Sequence, residues 1–240
     1  MKYPFGILHW LVASLMTLAV AAPPVGPPSF DNELLRYNIT WPSGLSLGEA
    51  ALSASSSKPA PDAPQRLHLQ FDVDAGIPGF SVTDRYRSEA AGEFCSTEFA
   101  RTTIHGKKKT DEKTTFDPHN GTATRETVGG GRSELKAAAC SRDALTFLYY
   151  VRRELSEGRM PAPQTIFLGA PYDVRLEFHG TESIRIGDKP VEADRFAASV
   201  KGPASSIAFD IYFLKDRART PALVRVLLAM GTTFSMELVK

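Results

Sequence analysis

The sequence has no surplus of charge of either sign, since its 240 residues include 28 lysines and arginines against 27 aspartates and glutamates. Proteins that bind nucleic acid or an anionic membrane through their overall charge carry a clear basic excess. The composition therefore indicates no nucleic-acid partner. Hydrophobic residues make up 42% of the chain, which is enough for a sizeable core. The class that this composition indicates is a globular protein.

Several motifs that carry well-defined chemistry are missing. No His-Glu-x-x-His helix occurs, and the glycines at 129–131 are not followed by the lysine and Ser/Thr of a P-loop. The histidines and the two cysteines are not spaced as metal ligands. The sequence therefore predicts no metal site and no cofactor, and it identifies no catalytic residue.

The N-terminus has the pattern of an export signal. Lys2 precedes an apolar run of roughly 17 residues, and small residues at 19–21 suit a cleavage site. We predict a signal peptide over 1–21, a proline-rich flexible leader over 22–33 and a periplasmic or secreted location. No lipid-anchor cysteine follows the run, and an uncleaved N-terminal anchor is the alternative. No later apolar segment reaches the roughly 20 residues that a spanning helix needs.

Cysteine is scarce, and its two positions are Cys95 and Cys140. An exported chain meets an oxidising compartment, where such a pair usually forms a bridge. Closing a loop of this size stabilises a fold by on the order of 4 kcal/mol in the chain-entropy description. We predict a structural disulfide between the two, with a pair of free buried thiols as the alternative.

Alternation of apolar and polar residues predicts β-strands along most of the chain. In LLRYNITW (34–41), every second residue is large and apolar, and RLHLQFDVD, YDVRLEFHG and SIAFDIYFLK repeat the pattern. Turn residues such as Asn120 and Gly121 separate the strands. Since no linker divides the chain, we predict one mainly β domain over 34–240. Its expected form is a large curved antiparallel sheet or incomplete barrel wrapping one α-helix.

The helix is predicted at about 141–156, where the period changes from two to that of a helix. One face carries Ala144, Phe147, Leu148, Val151 and Leu155. Ser141 is the predicted N-cap and Gly158 the predicted stop. Tyr149 and Tyr150 fall nearer the polar side, where their hydroxyls would reach water. We expect the apolar face to lie against the concave side of the sheet.

Two roles for the helix follow from this placement. It either completes a packed core, or it encloses with the sheet an apolar cavity for a lipid-like or other hydrophobic guest. The predicted lining residues of such a cavity are Trp41, Phe147, Leu148 and Phe178.

Three segments together resemble domain-of-unknown-function family 3108, a family of exported bacterial proteins. They are RYNITWPSGLSLGEAAL, DALTFLYYVRREL and YFLKDRARTPALVRVLLAMGTTFSMELVK, and the likeness extends over roughly 33–240. The resemblance implies export to the periplasm or envelope and an antiparallel β shell around one helix. It implies no catalytic residue. The expected shell is also similar to that of periplasmic carriers that hand lipoproteins to the outer membrane.

The sequence thus predicts a monomeric envelope protein that binds or carries a hydrophobic ligand or a lipidated partner. One alternative is a structural or assembly factor that binds envelope proteins through its sheet edge. The other is a hydrolase with an acidic site. Its candidate carboxylates are Glu98, Glu112, Glu126, Glu177 and Glu182.

Overall fold

The computed structural model of the chain describes residues 28–58, 65–203, 205–227 and 233–239. The predicted signal peptide (1–21) lies outside the described residues, as do residues 22–27 of the predicted leader and most of the proline-rich loop at 58–64. The described residues form fifteen strands and one helix. The strands are β1 Glu33–Thr40, β2 Ser46–Ser57, β3 Arg66–Ile77, β4 Phe80–Ala91, β5 Cys95–His105, β6 Lys108–Asp117, β7 Thr122–Thr127, β8 Arg132–Lys136, β9 Arg142–Asp143, β10 Gln164–Phe167, β11 Pro171–Ile186, β12 Lys189–Lys201, β13 Ser206–Leu214, β14 Pro221–Leu227 and β15 Thr233–Val239. The helix is α1, Ala144–Ser156.

All fifteen strands belong to a single sheet in the order β8-β7-β6-β5-β4-β3-β2-β1-β15-β14-β13-β12-β11-β10-β9. The prediction of a mainly β fold with one helix is confirmed. The sheet is not closed into a barrel, because β8 and β9 remain as its two edges. Every pairing is antiparallel except that of β9 with β10. Those two strands are parallel because α1 connects them, and parallel neighbours need such a crossover.

The sheet curls until its β9 edge meets β5, a strand of its interior. Ser96 on β5 donates a backbone hydrogen bond of 2.9 Å to the carbonyl of Ser141. The predicted disulfide between Cys95 and Cys140 is present at the same place, with the two Cα atoms 4.7 Å apart. The bridge therefore fastens the chain just before α1 to the start of β5.

The N-cap of the helix is Asp143, two residues after the predicted Ser141, and α1 begins at Ala144. The carboxylate of Asp143 accepts hydrogen bonds from the amides of Leu145 (2.8 Å) and Thr146 (3.1 Å). The hydroxyl of Ser141 bonds instead to the carbonyl of Ala138. The cap prediction was wrong because residues 142–143 pair with β10 as strand β9, which postpones the first helical turn.

Asp143 also connects the helix to the sheet. Its carboxylate accepts from the hydroxyls of Ser88 on β4 (2.5 Å) and Ser96 on β5 (2.7 Å), and the side chain is fully buried. Burial raises the pKa of Asp143, whereas its four donors act in the opposite direction. A buried polar group needs such partners, because each one left unsatisfied costs about 1–3 kcal/mol.

The far side of α1 is buried as well, contrary to the expectation that Tyr149 reaches water. Tyr149 has no exposed surface, and its hydroxyl donates to Glu33 of β1 at 2.8 Å. Arg152, also fully buried, forms two hydrogen bonds of 2.6 and 2.7 Å with the same carboxylate. Its guanidinium lies 4.4 Å from the ring centre of Phe30. Residues 28–33 of the predicted flexible leader are therefore part of the fold.

The helix closes one end of the curled sheet, here called the helix end. Arg153 contacts Glu93 in the turn between β4 and β5. Arg152 donates to the carbonyl of Ala218 in the loop between β13 and β14. The beginning of β1, at Glu33, lies at the same end. The opposite end of the sheet, which α1 does not cover, is here called the open end.

We expect the stability of the wild-type protein relative to D143N to fall as pH rises. The raised pKa means that the carboxyl's contribution is fully present below its unfolded value of about 4 and is lost as pH passes the folded value. Urea unfolding of both proteins at a series of pH values, starting below the unfolded pKa of Asp143 and rising past its folded pKa, measures the difference in stability. D188N, which changes an exposed turn residue outside the cluster, is the control. A constant difference between wild type and D143N would contradict the assignment.

Removing both charges of the Arg152–Glu33 pair together should cost less than the sum of removing each one alone. E33Q is expected to lower the free energy of unfolding by about 3–5 kcal/mol, because a buried guanidinium loses its counter-charge. The double variant R152M/E33Q should lose less than the two single variants combined. The exposed pair Arg175–Glu177 supplies the control cycle, with an expected coupling of about 0–1 kcal/mol. Equal couplings in the two cycles would refute the buried role.

Candidate functional site

An apolar cavity of about 350 Å³ lies between α1 and the concave face of the sheet. No charged residue lines it, and only two of its residues carry a polar side-chain group. Its lining consists of Tyr37, Leu52, Phe71, Tyr86, Ala144, Leu145, Phe147, Leu148, Val151, Ile166, Leu168, Val174, Leu176, Ala198, Val200, Ile207, Phe209, Ile211, Phe213, Pro221, Val224 and Met236.

The helix supplies one wall through residues at helical spacing. Phe147, Leu148 and Val151 project into the space between α1 and the strands that face it. Residues three and four apart share a helix face, so the stripe seen in the sequence becomes a continuous apolar wall. Phe147 and Val151 belong to the same buried apolar cluster as Phe196 on β12.

The opposite wall comes from alternate residues of neighbouring strands. Leu176 of β11 is paired with Ala198 of β12, which in turn is paired with Phe209 of β13. Paired residues of antiparallel strands point to the same face, so these side chains form one row across the cavity. Ala198 is the smallest member of that row and is buried.

The two tyrosines in the lining have hydroxyls that are already engaged. Tyr37 donates to the carbonyl of Pro221 at 2.9 Å, and Tyr86 contacts the carboxylate of Asp84 at 3.4 Å. Burial raises the pKa of Tyr37 well above its ordinary value and that of Tyr86 to about 12. Both phenols are therefore neutral near pH 7, and the cavity presents no charged group or activated nucleophile.

The cavity reaches the surface at the open end. Ile207 lines the cavity and is 44% exposed, whereas its neighbours deeper on β13, Ile211 and Phe213, are buried. Exposure thus increases along the strand toward its beginning. The mouth lies beside Ile207, opposite to the end that α1 closes.

Two of the four predicted lining residues lie at the cavity and two do not. Phe147 and Leu148 are part of the wall. Trp41 follows the last residue of β1 and is 37% exposed, and Phe178 adjoins the irregularity in β11 and is 54% exposed. The alternation of apolar and polar residues indicated which face of the sheet each side chain lies on. It did not indicate whether a residue lies near the cavity or near the end of its strand. The same limit hid Ala198 and Met236, which do line the cavity.

The acidic residues considered for a hydrolase are each engaged with a basic side chain, and none lines the apolar cavity. The pairs are Glu98 with Lys113, Glu112 with Arg101, Glu126 with Arg132, Glu177 with Arg175 and Glu182 with Arg195. Across the described ranges, no group of three or more histidine, cysteine, aspartate or glutamate residues is arranged to hold a metal ion.

The sequence GLSLG at residues 44–48 matches the Gly-x-Ser-x-Gly motif of the nucleophile elbow. That motif requires a sharp turn from a strand into a helix. Ser46 instead begins β2 and is paired with Thr40 of β1 in a hairpin. The structural context of a nucleophile is therefore missing at Ser46.

The bridge between Cys95 and Cys140 fits an extracytoplasmic protein, because structural disulfides persist in oxidising compartments. In the described part of the chain, no helix combines the length and apolarity required to span a bilayer.

Comparison with known proteins supports the fold. The chain is similar to the β-barrel-like protein of domain-of-unknown-function family DUF1849 from Brucella abortus, with a TM-score of 0.59 and 8% identity over 86% of this chain and 95% of that one. A putative exported protein with a YmcC-like fold from Bacteroides fragilis gives a TM-score of 0.33 and 8% identity over 87% and 96% of the two chains. The first likeness shows the fold alone, and the second carries no argument. A search of curated proteins gave no match.

The profile of one protein family covers most of the sequence. It matches residues 36–239, a range that contains the disulfide, α1 and every lining residue of the cavity. The family is described as a protein of unknown function (DUF3108). The match confirms the resemblance found in the three sequence segments. This chain belongs to the DUF3108 family.

Proposed function

We propose that this protein is an exported envelope protein that binds a hydrophobic ligand in the cavity between α1 and the sheet. The proposal rests on one observation: the cavity, which opens beside Ile207, is lined entirely by uncharged residues. Ligand sites of drug-sized molecules occupy about 300–1,000 Å³ and are mostly apolar. The cavity described here falls within that range.

The energetics of apolar burial support a ligand in this cavity. Apolar side chains that line an open space stay in contact with water, and each Å² of apolar surface withdrawn from water contributes roughly 25 cal/mol. A bound apolar molecule would therefore gain free energy by covering this lining.

The lining also limits the chemistry of the ligand. Tyr37 and Tyr86 have engaged hydroxyls, and no other polar side chain faces the space. The buried part of the ligand therefore carries no polar group, as in an acyl chain. Each methylene that leaves water contributes about 0.8 kcal/mol. A polar head would remain at the mouth near Ile207, in contact with water.

The two other hypotheses gain less support. The edge strand β8 has exposed Arg132, Glu134 and Lys136 along it, and charges on an edge discourage pairing with another chain. The carboxylates considered for hydrolysis form ion pairs outside the cavity. Ligand binding is accordingly the function that we propose.

Filling the cavity should abolish ligand binding, while the same change on the other face of the strand should not. In A198F the added ring enters the cavity. Its neighbour Ala197 points to the opposite face of β12, so A197F is the matched control. We expect A198F to weaken the binding of the neutral fluorescent probe N-phenyl-1-naphthylamine by at least about tenfold. A197F should bind the probe as wild type does.

The native protein should also release a lipid-like molecule on solvent extraction, detectable by mass spectrometry. Binding of the probe to A198F with wild-type affinity would place the probe elsewhere. If the wild-type protein bound no probe and released no apolar molecule, the cavity would not be a ligand site and the proposal would fail.

A further inference from the structure

Exposed large hydrophobic residues are concentrated at the open end of the sheet. Seven of the eleven such residues in the described ranges lie there. One of the seven is Val128, in the turn between β7 and β8, and the other six are here called the apolar rim. They are Trp41, Leu45, Ile77, Phe80, Ile207 and Leu227. On the surface of a typical monomeric protein, exposed large hydrophobic residues occur singly. Their concentration at one end of the sheet therefore indicates an interaction surface.

Strand register places the apolar rim at a single end. The hairpin of β3 and β4 turns between Ile77 and Phe80, which are paired with each other. Trp41 and Leu45 lie in the turn between β1 and β2, where the backbone amide of Trp41 donates to the carbonyl of Leu45 at 2.9 Å. Both turns point in the same direction, because β1 to β4 form consecutive antiparallel hairpins.

The two remaining members of the apolar rim lie on β13 and β14, at the same end of the sheet. Leu227 ends β14 beside Thr233, the first residue of β15. Ile207 follows the first residue of β13 and also lines the cavity. The six residues of the apolar rim therefore lie at the end of the sheet where the cavity opens, and one of them, Ile207, also lines the cavity.

A run of three lysines adjoins the apolar rim. Lys107, Lys108 and Lys109 are exposed at the turn between β5 and β6. The amide of Gly106 in that turn donates to the carbonyl of Ser81 at 2.8 Å. The ring of Phe80 lies so close to Gly106 that a Cβ there would come within 3.2 Å of it. Apolar and basic groups thus form one continuous surface.

The turns at this end contain basic but no acidic side chains, and His105 in one of them lies 2.8 Å from the carboxylate of Asp84 on β4. Residues 41–45, 77–80 and 105–109 contain no acidic residue. Lys109 lies 3.7 Å from Asp111, whereas Lys107 and Lys108 form no ion pair within the described part of the chain. Turns at the helix end, by contrast, contain the acidic residues Glu93, Asp188 and Asp216 beside basic residues such as Lys215 and Arg219.

We propose that the apolar rim and Lys107–Lys109 dock this protein onto the surface of an anionic phospholipid bilayer. Apolar side chains, tryptophan among them, enter the boundary between headgroups and acyl chains, while lysines attract anionic headgroups. The inference rests on the proposed ligand function, because docking places the cavity mouth against the bilayer. An acyl chain then passes between bilayer and cavity without crossing water.

Co-sedimentation of the full chain with vesicles tests the docking. We expect binding to vesicles of phosphatidylcholine with phosphatidylglycerol, and binding at least about tenfold weaker to pure phosphatidylcholine. F80S should lower the partition coefficient about tenfold. The matched control is L34S, which removes a similarly exposed side chain at the helix end. L34S should bind as the wild-type protein does.

The contribution of the lysines to vesicle binding is tested by two double variants that remove equal charge. K107Q/K108Q should weaken binding to the anionic vesicles about tenfold and make it less sensitive to salt. K136Q/K189Q removes the same charge from exposed lysines at the helix end and should leave binding unchanged. Equal losses in the two double variants would indicate attraction by net charge alone and would overturn the docking surface.

Measurement of probe binding in solution separates the two proposals. F80S and K107Q/K108Q should bind N-phenyl-1-naphthylamine as the wild-type protein does, since neither change touches the cavity. Probe binding without vesicle binding would overturn the docking surface and leave the ligand function standing. Vesicle binding without probe binding would overturn the ligand function and leave the docking surface standing. If sedimentation equilibrium showed a dimer that F80S dissociates, the rim would join two copies and the bilayer proposal would fail.

Discussion

A buried carboxylate connects the start of α1 to the sheet, and the position of the cavity depends on that connection. Asp143 caps α1 and at the same time accepts hydrogen bonds from Ser88 on β4 and Ser96 on β5. Its own strand, β9, is only two residues long. The nearby disulfide and the backbone hydrogen bond from Ser96 to Ser141 add to this attachment. The carboxylate and the bridge thus fix one end of α1 against an interior strand.

The other end of α1 is fixed by a second buried polar group. Arg152 and Tyr149 both bond to Glu33 at the beginning of β1, which lies far from β9 in the sheet order. The helix is consequently attached to distant parts of one curled sheet. Its Phe147 face is then held opposite β11 to β13, and the apolar cavity lies between them. Polar contacts therefore position an apolar site.

The two ends of the sheet differ in chemistry in a way that fits the proposed function. The helix end contains acidic residues in its turns and ion pairs, among them the contact of Arg153 with Glu93. The open end contains exposed apolar residues, three lysines and the cavity mouth. Overall charge is almost balanced at 28 to 27, so composition conceals this difference. It arises because alternate hairpin turns of a meander come together at opposite ends.

The sequence by itself determined the strand-rich class, the one helix, its apolar stripe and the cysteine pair, since these follow from local periodicity and from residue chemistry. It assigned Phe147 and Leu148 to the wall because a helix face can be read from spacing. It misplaced Trp41 and Phe178, and it gave no sign that Tyr149 and Arg152 are buried against Glu33. Only the tertiary structure decided those points, because depth along a strand and the partner of a buried charge depend on register and curvature between segments far apart in the chain.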